Sequence, residues 1–168
     1  MKKSVIIILM ALILVSGAYA KLNLKLEGAG HIAIGDDTAI MLDGGGIVDI
    51  NERFAVRFIL LRLQFDPTAL YLSTGSEVDG LIYFPMANSS ILPYGVAGLQ
   101  LNSWEDYTLL QLNIGGGAEF GTPQSALRPF AELIIGIMSL SYDTGFGDYS
   151  DSETVIGIRG GIRYDLGK

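Results

Sequence analysis

The C-terminal stretch of this chain alternates with a period of two: Ile156, Ile158, Gly160, Ile162, Tyr164 and Leu166 fall on one side, and Arg159, Arg163 and Asp165 on the other. A helix would scatter these residues around its axis, whereas an extended strand sorts successive side chains onto opposite faces. One face therefore wants hydrocarbon and the other wants polar partners. The same phase recurs near Leu22 to Ile34, where Leu22, Leu24, Leu26, Ile32 and Ile34 oppose Asn23, Lys25, Glu27 and His31. It recurs again near Tyr107 to Phe120, where Leu110, Leu112, Ile114, Ala118 and Phe120 oppose Gln111, Asn113 and Glu119. Helix signals are nearly absent, so the class is all-β.

Similar runs bounded by Gly, Asp, Asn, Ser and Pro place further strands at Thr38 to Ile50, Arg53 to Phe65, Leu70 to Phe84, Ile91 to Asn102 and Leu127 to Tyr142, for an even total of eight. In the fourth, Leu72, Val78, Ile82 and Phe84 share a phase against Glu77 and Asp79, although Ser73 to Gly80 also reads as a loop. In the seventh, Leu133 to Met138 is apolar on both faces apart from Gly136. Strands of roughly 10 to 14 residues are long enough to cross a bilayer in a tilted barrel, and closing the sheet removes every unpaired edge. The expected fold is an antiparallel, up-and-down, eight-stranded transmembrane β-barrel.

Parity constrains one turn. A two-residue connection at Asn51-Glu52 would set outward Ile50 against inward Arg53, so parity demands an odd loop or a bulge, and the expected connection is a three-residue turn, Asn51 to Arg53, with Ile50 facing Phe54. The connections at Ser103 to Asp106 and Asp143 to Ser152 are longer and acidic. A chain starting on the periplasmic side places them outside.

The first 20 residues read as an export signal: basic Lys2 and Lys3, an apolar run from Val5 to Val15, and small residues at Ala18-Tyr19-Ala20. The run is shorter than the roughly 20 residues a spanning helix needs, which favours cleavage after Ala20 over a permanent anchor. Residues 21–168 then form one domain. Losing Lys2 and Lys3 leaves 9 basic against 18 acidic side chains, a net charge of −9, which argues against nucleic-acid binding. Without cysteine there is no disulfide framework and no thiolate site.

Aromatic residues fall at strand ends. Phe65, Trp104, Tyr107 and Tyr142 lie towards the loop end, and Phe54, Phe84, Tyr94, Phe120, Phe130 and Tyr164 towards the turn end, as the two interfacial girdles of a membrane barrel would. Inside such a barrel Lys25, Arg57, Arg159 and Arg163 would meet Glu27, Asp43, Asp49, Glu119 and Glu132. Charges there are tolerable only when paired, and pairing of the first strand with the eighth brings Lys25 and Glu27 beside Arg159 and Arg163. A lumen filled in this way is a plug rather than a channel.

Other chemistry is thin. The glycine runs Gly44-Gly45-Gly46, Gly115-Gly116-Gly117 and Gly160-Gly161 precede no helix, so close approach or bending explains them better than a phosphate cradle. His31 is the single histidine and reads as a hydrogen-bonded interior group rather than a metal ligand or catalytic base. Asp143, Asp148, Asp151 and Glu153 lack EF-hand spacing and read as a solvated acidic loop rather than a calcium site. No cofactor and no catalytic residue are expected.

Pro93-Tyr94-Gly95-Val96-Ala97-Gly98-Leu99 and Arg128-Pro129-Phe130-Ala131-Glu132, with the architecture of the whole mature chain, resemble the small outer-membrane barrels of the OmpA/OmpX and opacity-protein type. Arg159, Gly161, Tyr164 and Leu166 resemble the C-terminal signal read by the barrel-assembly machinery, although such proteins usually end on Phe and here Gly167-Lys168 follows. The resemblance implies a monomer in the Gram-negative outer membrane, among its lipids and lipopolysaccharide, with a structural or adhesin-like role. Three other readings stay open: a narrow porin or transporter, a lipid-modifying barrel enzyme, and a soluble periplasmic ligand-binding barrel with its apolar face inside.

Overall fold

The structure, a computed structural model, describes residues 23–65, 70–73, 77–87, 89–103, 107–122, 124–143 and 148–168. Residues 1–22, Trp104 to Asp106 and residues 144–147 of the second acidic connection lie outside the described residues. Nine strand segments follow one another without a helix among the described residues: β1 (Asn23–Ile34), β2 (Thr38–Asp49), β3 (Phe54–Phe65), β4 (Leu70–Ser73), β5 (Glu77–Tyr83), β6 (Ile91–Ser103), β7 (Tyr107–Phe120), β8 (Leu127–Asp143) and β9 (Asp148–Asp165). Consecutive strands pair antiparallel except β4 and β5, which both pair with β3, and β1 closes the sheet against β9. Because β4 and β5 make one interrupted stave, the result is a closed eight-stave meander. The continuous fourth strand expected over Leu70 to Phe84 is thus two pieces, and Phe84 lies just past the second.

The faces sort as the alternation requires. On β1, Leu24, Leu26, Ile32 and Ile34 are exposed while Lys25, Glu27 and His31 are buried; on β9, Ile156, Ile158, Ile162 and Tyr164 are exposed while Arg159, Arg163 and Asp165 are buried. The apolar face is the outer surface and the charged face is the interior, the reverse of a soluble ligand-binding barrel. On β8 the ambiguity resolves with Leu133, Ile135 and Ile137 outward and Ile134 and Gly136 inward.

Strand β3 breaks the period once. Gly44 pairs with Leu61 and Gly45 with Ile59, so Leu60 has no partner on β2, and Leu60 and Leu61 both face outward. This bulge shifts the phase by one residue and turns Arg62 inward together with Arg57. At the bulge the backbones crowd: a Cβ on Gly45 would stand 2.2 Å from the Phe58 carbonyl oxygen, so glycine is required there.

The β2–β3 connection is a three-residue turn. Ile50 faces Phe54 and donates its N–H to the Phe54 carbonyl at 2.8 Å, while the Asn51 side-chain oxygen accepts from the Arg53 and Phe54 N–H groups at 2.8 and 2.9 Å. The side chain of Asn51 thereby substitutes for backbone acceptors that a turn this tight lacks.

Candidate functional site: the charged lumen

The interior has an apolar side, where Ile47, Ala55, Leu81, Tyr83, Tyr94, Val96 and Ile134 pack together, and a column of charge beside it. Nearest the turns, Lys25 Nζ lies 3.0 Å from Asp49 Oδ1, and Asn23 donates to Asp49 and Asp165 at 3.1 and 3.0 Å. Arg128 meets Glu119 at 3.1 Å. Glu119 also accepts from the Tyr83 hydroxyl at 2.9 Å.

One layer further in, Arg163 donates from Nε to Glu27 and from Nη1 to Glu119, each at 2.8 Å, and from Nη2 to the Tyr94 hydroxyl at 3.1 Å. Its guanidinium lies between the rings of Tyr94 and Phe130, 4.7 and 4.2 Å from their centroids. Such stacking suits arginine because the planar, weakly hydrated cation meets the negative face of each ring. The Tyr94 hydroxyl passes its own proton donation to Glu132 Oε2 at 2.9 Å.

Arg57 occupies the middle of the lumen. Its Nε binds Asp79 at 2.7 Å, and its two terminal nitrogens bind the two oxygens of Glu132 at 2.8 and 2.9 Å. Towards the loops, Arg159 reaches Glu77 at 2.8 Å and Asp43 at 3.1 Å, and Arg62 binds Asp43 at 2.7 Å, Glu77 at 2.6 Å and Gln100 at 2.7 Å. Arg57, Arg159 and Arg163 are at most 1% exposed. An isolated charge so placed would be strongly disfavoured, and shared carboxylates with charge-assisted hydrogen bonds are what make the arrangement tenable.

All nine charged residues placed inside by the alternation are therefore inward: Lys25, Glu27, Asp43, Asp49, Arg57, Glu119, Glu132, Arg159 and Arg163. Arg62, Glu77 and Asp79 join them. Arg62 escapes a strict alternation because the bulge at Leu60 intervenes. The readable signal was the adjacent pair Leu60-Leu61 between two arginines at odd spacing. His31 is interior, with Nδ1 3.4 Å from Asp43 Oδ2, a contact longer than the hydrogen bond expected of it.

The girdle expectation needs correction at two positions. Tyr94 and Phe130 point into the lumen, 3% and 4% exposed, because each sits on the inward phase of its strand and stacks on Arg163. Phe54, Phe84, Phe120 and Tyr164 are exposed at the turn end, and Phe65 at the loop end. The side chains of Trp104, Tyr107 and Tyr142 lie outside the described residues. Of the C-terminal pattern, Tyr164 and Leu166 are outward while Arg159 and Gly161 face in; a Cβ on Gly161 would meet the Gly28 carbonyl oxygen at 2.1 Å. Of the acidic loop, the side chains of Asp143 and Asp148 lie outside the described residues, and Glu153 accepts a hydrogen bond from the Asp36 backbone.

No family model and no curated protein matches the chain. Among solved structures, it is similar to the crystal structure of Neisserial surface protein A, with 12% identity, 86% of this chain and 97% of that one covered, and a TM-score of 0.52. It also aligns, at 15% identity and a TM-score of 0.49, with the N-terminal β-barrel domain of Pseudomonas aeruginosa OprF, covering 84% of this chain and 97% of that one. At 12% identity the likeness to the Neisserial protein is one of fold alone. The closed eight-stave meander, with its apolar outer face, has the fold of the small outer-membrane β-barrels.

Proposed function

We propose that the protein is exported and assembled into the bacterial outer membrane as a structural or surface-interacting barrel whose lumen is closed to ions. The observation that carries this reading is the ion-paired lumen inside a wholly apolar outer belt. The 12 residues of β1 span roughly 40 Å, or about 30 Å along the membrane normal at a barrel tilt near 40°. That length matches the hydrocarbon core. The belt then faces lipid, and the outward Phe54, Phe84, Phe120 and Tyr164 fall at the turn-end interface.

Arg163, Arg57, Arg159 and Arg62 are stacked along the lumen between carboxylates, so an ion passing the axis would have to displace several paired groups. Export rests on the leader of residues 1–20, and the Arg159, Gly161, Tyr164 and Leu166 pattern supports handling by the barrel-assembly machinery. Membrane lipids and lipopolysaccharide are the expected surroundings, with the protein acting as a monomer and not as an enzyme. A surface role agrees with the likeness in fold to Neisserial surface protein A.

Planar-bilayer recording of purified protein tests the closed lumen. Little or no steady conductance is expected, and a large stable single-channel current would replace this reading with a porin-like one. Recovery of unmodified protein only from the soluble periplasmic fraction would remove the membrane placement itself.

A further inference from the structure

The turn-end mouth opens into a cavity of about 550 Å³, a size that suits a small ligand. Its floor is polar: Lys25 and Asp165 are 6% and 3% exposed, and Asp49 and Asn23 stand beside them. One wall is apolar, formed by Pro85, Met86, Ile91 and Leu92. The charged lining is balanced, with Glu52, Asp49 and Asp165 against Lys25, Arg128 and Lys168. Around the floor the signs alternate between neighbouring strands: Asp49 on β2, Lys25 on β1, Asp165 on β9 and Arg128 on β8.

We propose that this vestibule binds a small dipolar ion, an amino acid or dipeptide carrying both an ammonium and a carboxylate. A cavity lined by equal numbers of acids and bases has no net charge with which to concentrate a simple anion or cation. Alternating charges instead reward a ligand that presents both signs at once. Its ammonium meets Asp49 or Asp165, its carboxylate meets Lys25 or Lys168, and an apolar side chain rests on Met86 and Leu92. The pairs already there are short, Lys25 to Asp49 at 3.0 Å and Lys168 to Asp165 at 3.4 Å, so binding exchanges partners without leaving any charge bare. Beneath the floor, one layer further into the barrel, Arg163 and Glu27 are joined at 2.8 Å and close the vestibule on that side. The site does not depend on whether the lumen conducts.

The test is titration of isotope-labelled full-length protein in detergent micelles with L-alanyl-L-alanine, followed by the amide resonances of Lys25, Asp49, Met86 and Arg128. Saturable shifts at these positions are expected. N-acetyl-alanyl-alanine amide, which has the same body without either charge, is expected to bind at least about tenfold more weakly, and so are acetate and methylammonium. Met86→Trp fills the wall from an exposed position beyond the end of β5 and is expected to weaken dialanine equally while leaving the boiled and unboiled gel mobilities unchanged. No saturable shift, equal binding of the capped peptide, or undiminished binding to Met86→Trp overturns the proposal.

Discussion

Arg57 on β3 and Glu132 on β8 stand four staves apart in the ring of eight, on opposite walls of the barrel, and join across its diameter through two hydrogen bonds of 2.8 and 2.9 Å. A two-point guanidinium–carboxylate pair fixes both distance and orientation. It therefore ties together walls that have no backbone hydrogen bonds to each other.

Removing one end of this tie should be costly. Glu132→Ala leaves Arg57, the Tyr94 hydroxyl and part of the Arg159 contact without their shared acceptor, and about 3 to 5 kcal/mol of stability is expected to be lost. Glu27→Ala is expected to act similarly through Arg163. Asp151→Ala, at an exposed position on β9, should leave stability unchanged. Urea titrations of protein folded into lipid vesicles compare the three, and equal midpoints for Glu132→Ala and wild type would show that the lumenal pairs contribute nothing.

Two glycines in adjacent strands make a matched pair of tests. Gly45→Ala drives a methyl into the Phe58 carbonyl at the bulge and is expected to cost about 1 to 3 kcal/mol. Gly28→Ala points a methyl from β1 into space with no atom within 4 Å and should change stability by no more than about 0.5 kcal/mol. The same vesicle-folding titration reads both. Equal effects would contradict the close approach at Gly45.

The outer face can be tested with a charge. Ile114, 65% exposed near the middle of β7, would hold an arginine at the hydrophobic midplane in Ile114→Arg, at an expected cost of about 2 to 4 kcal/mol in a bilayer. Unaltered folding of this variant into vesicles would mean that β7 does not face lipid.

Asn51→Ala removes the acceptor for two backbone N–H groups of the β2–β3 turn. A loss of about 0.5 to 1.5 kcal/mol is expected, and amide hydrogen exchange should quicken at Arg53 and Phe54. Unchanged exchange there would show that the side chain does not hold the turn.

The period-two pattern alone determined the class, the number of staves, which side chains share a face, and even the three-residue turn at Asn51, because facing residues in an antiparallel pair must lie on the same side of the sheet. It also placed Lys25, Glu27, Arg57, Glu132, Arg159 and Arg163 in one interior, since charges have nowhere else to go when the opposite face is hydrocarbon. What it could not determine depends on closure and on local departures from the period. The bulge at Leu60 resets the phase of β3 and brings Arg62 inside, and its trace in the sequence, the adjacent pair Leu60-Leu61, marks a break in the alternation without fixing where the pairing slips. Tyr94 and Phe130 fit an outer girdle by their position near strand ends, yet both sit on the inward phase of their strands, and closure of the sheet brings β6 across the lumen from β9 so that Tyr94, like Phe130 on neighbouring β8, meets Arg163. The pairing of Arg57 with Glu132 was beyond the sequence for the same reason: strands that share no hydrogen bonds become neighbours across the lumen only when the sheet has closed.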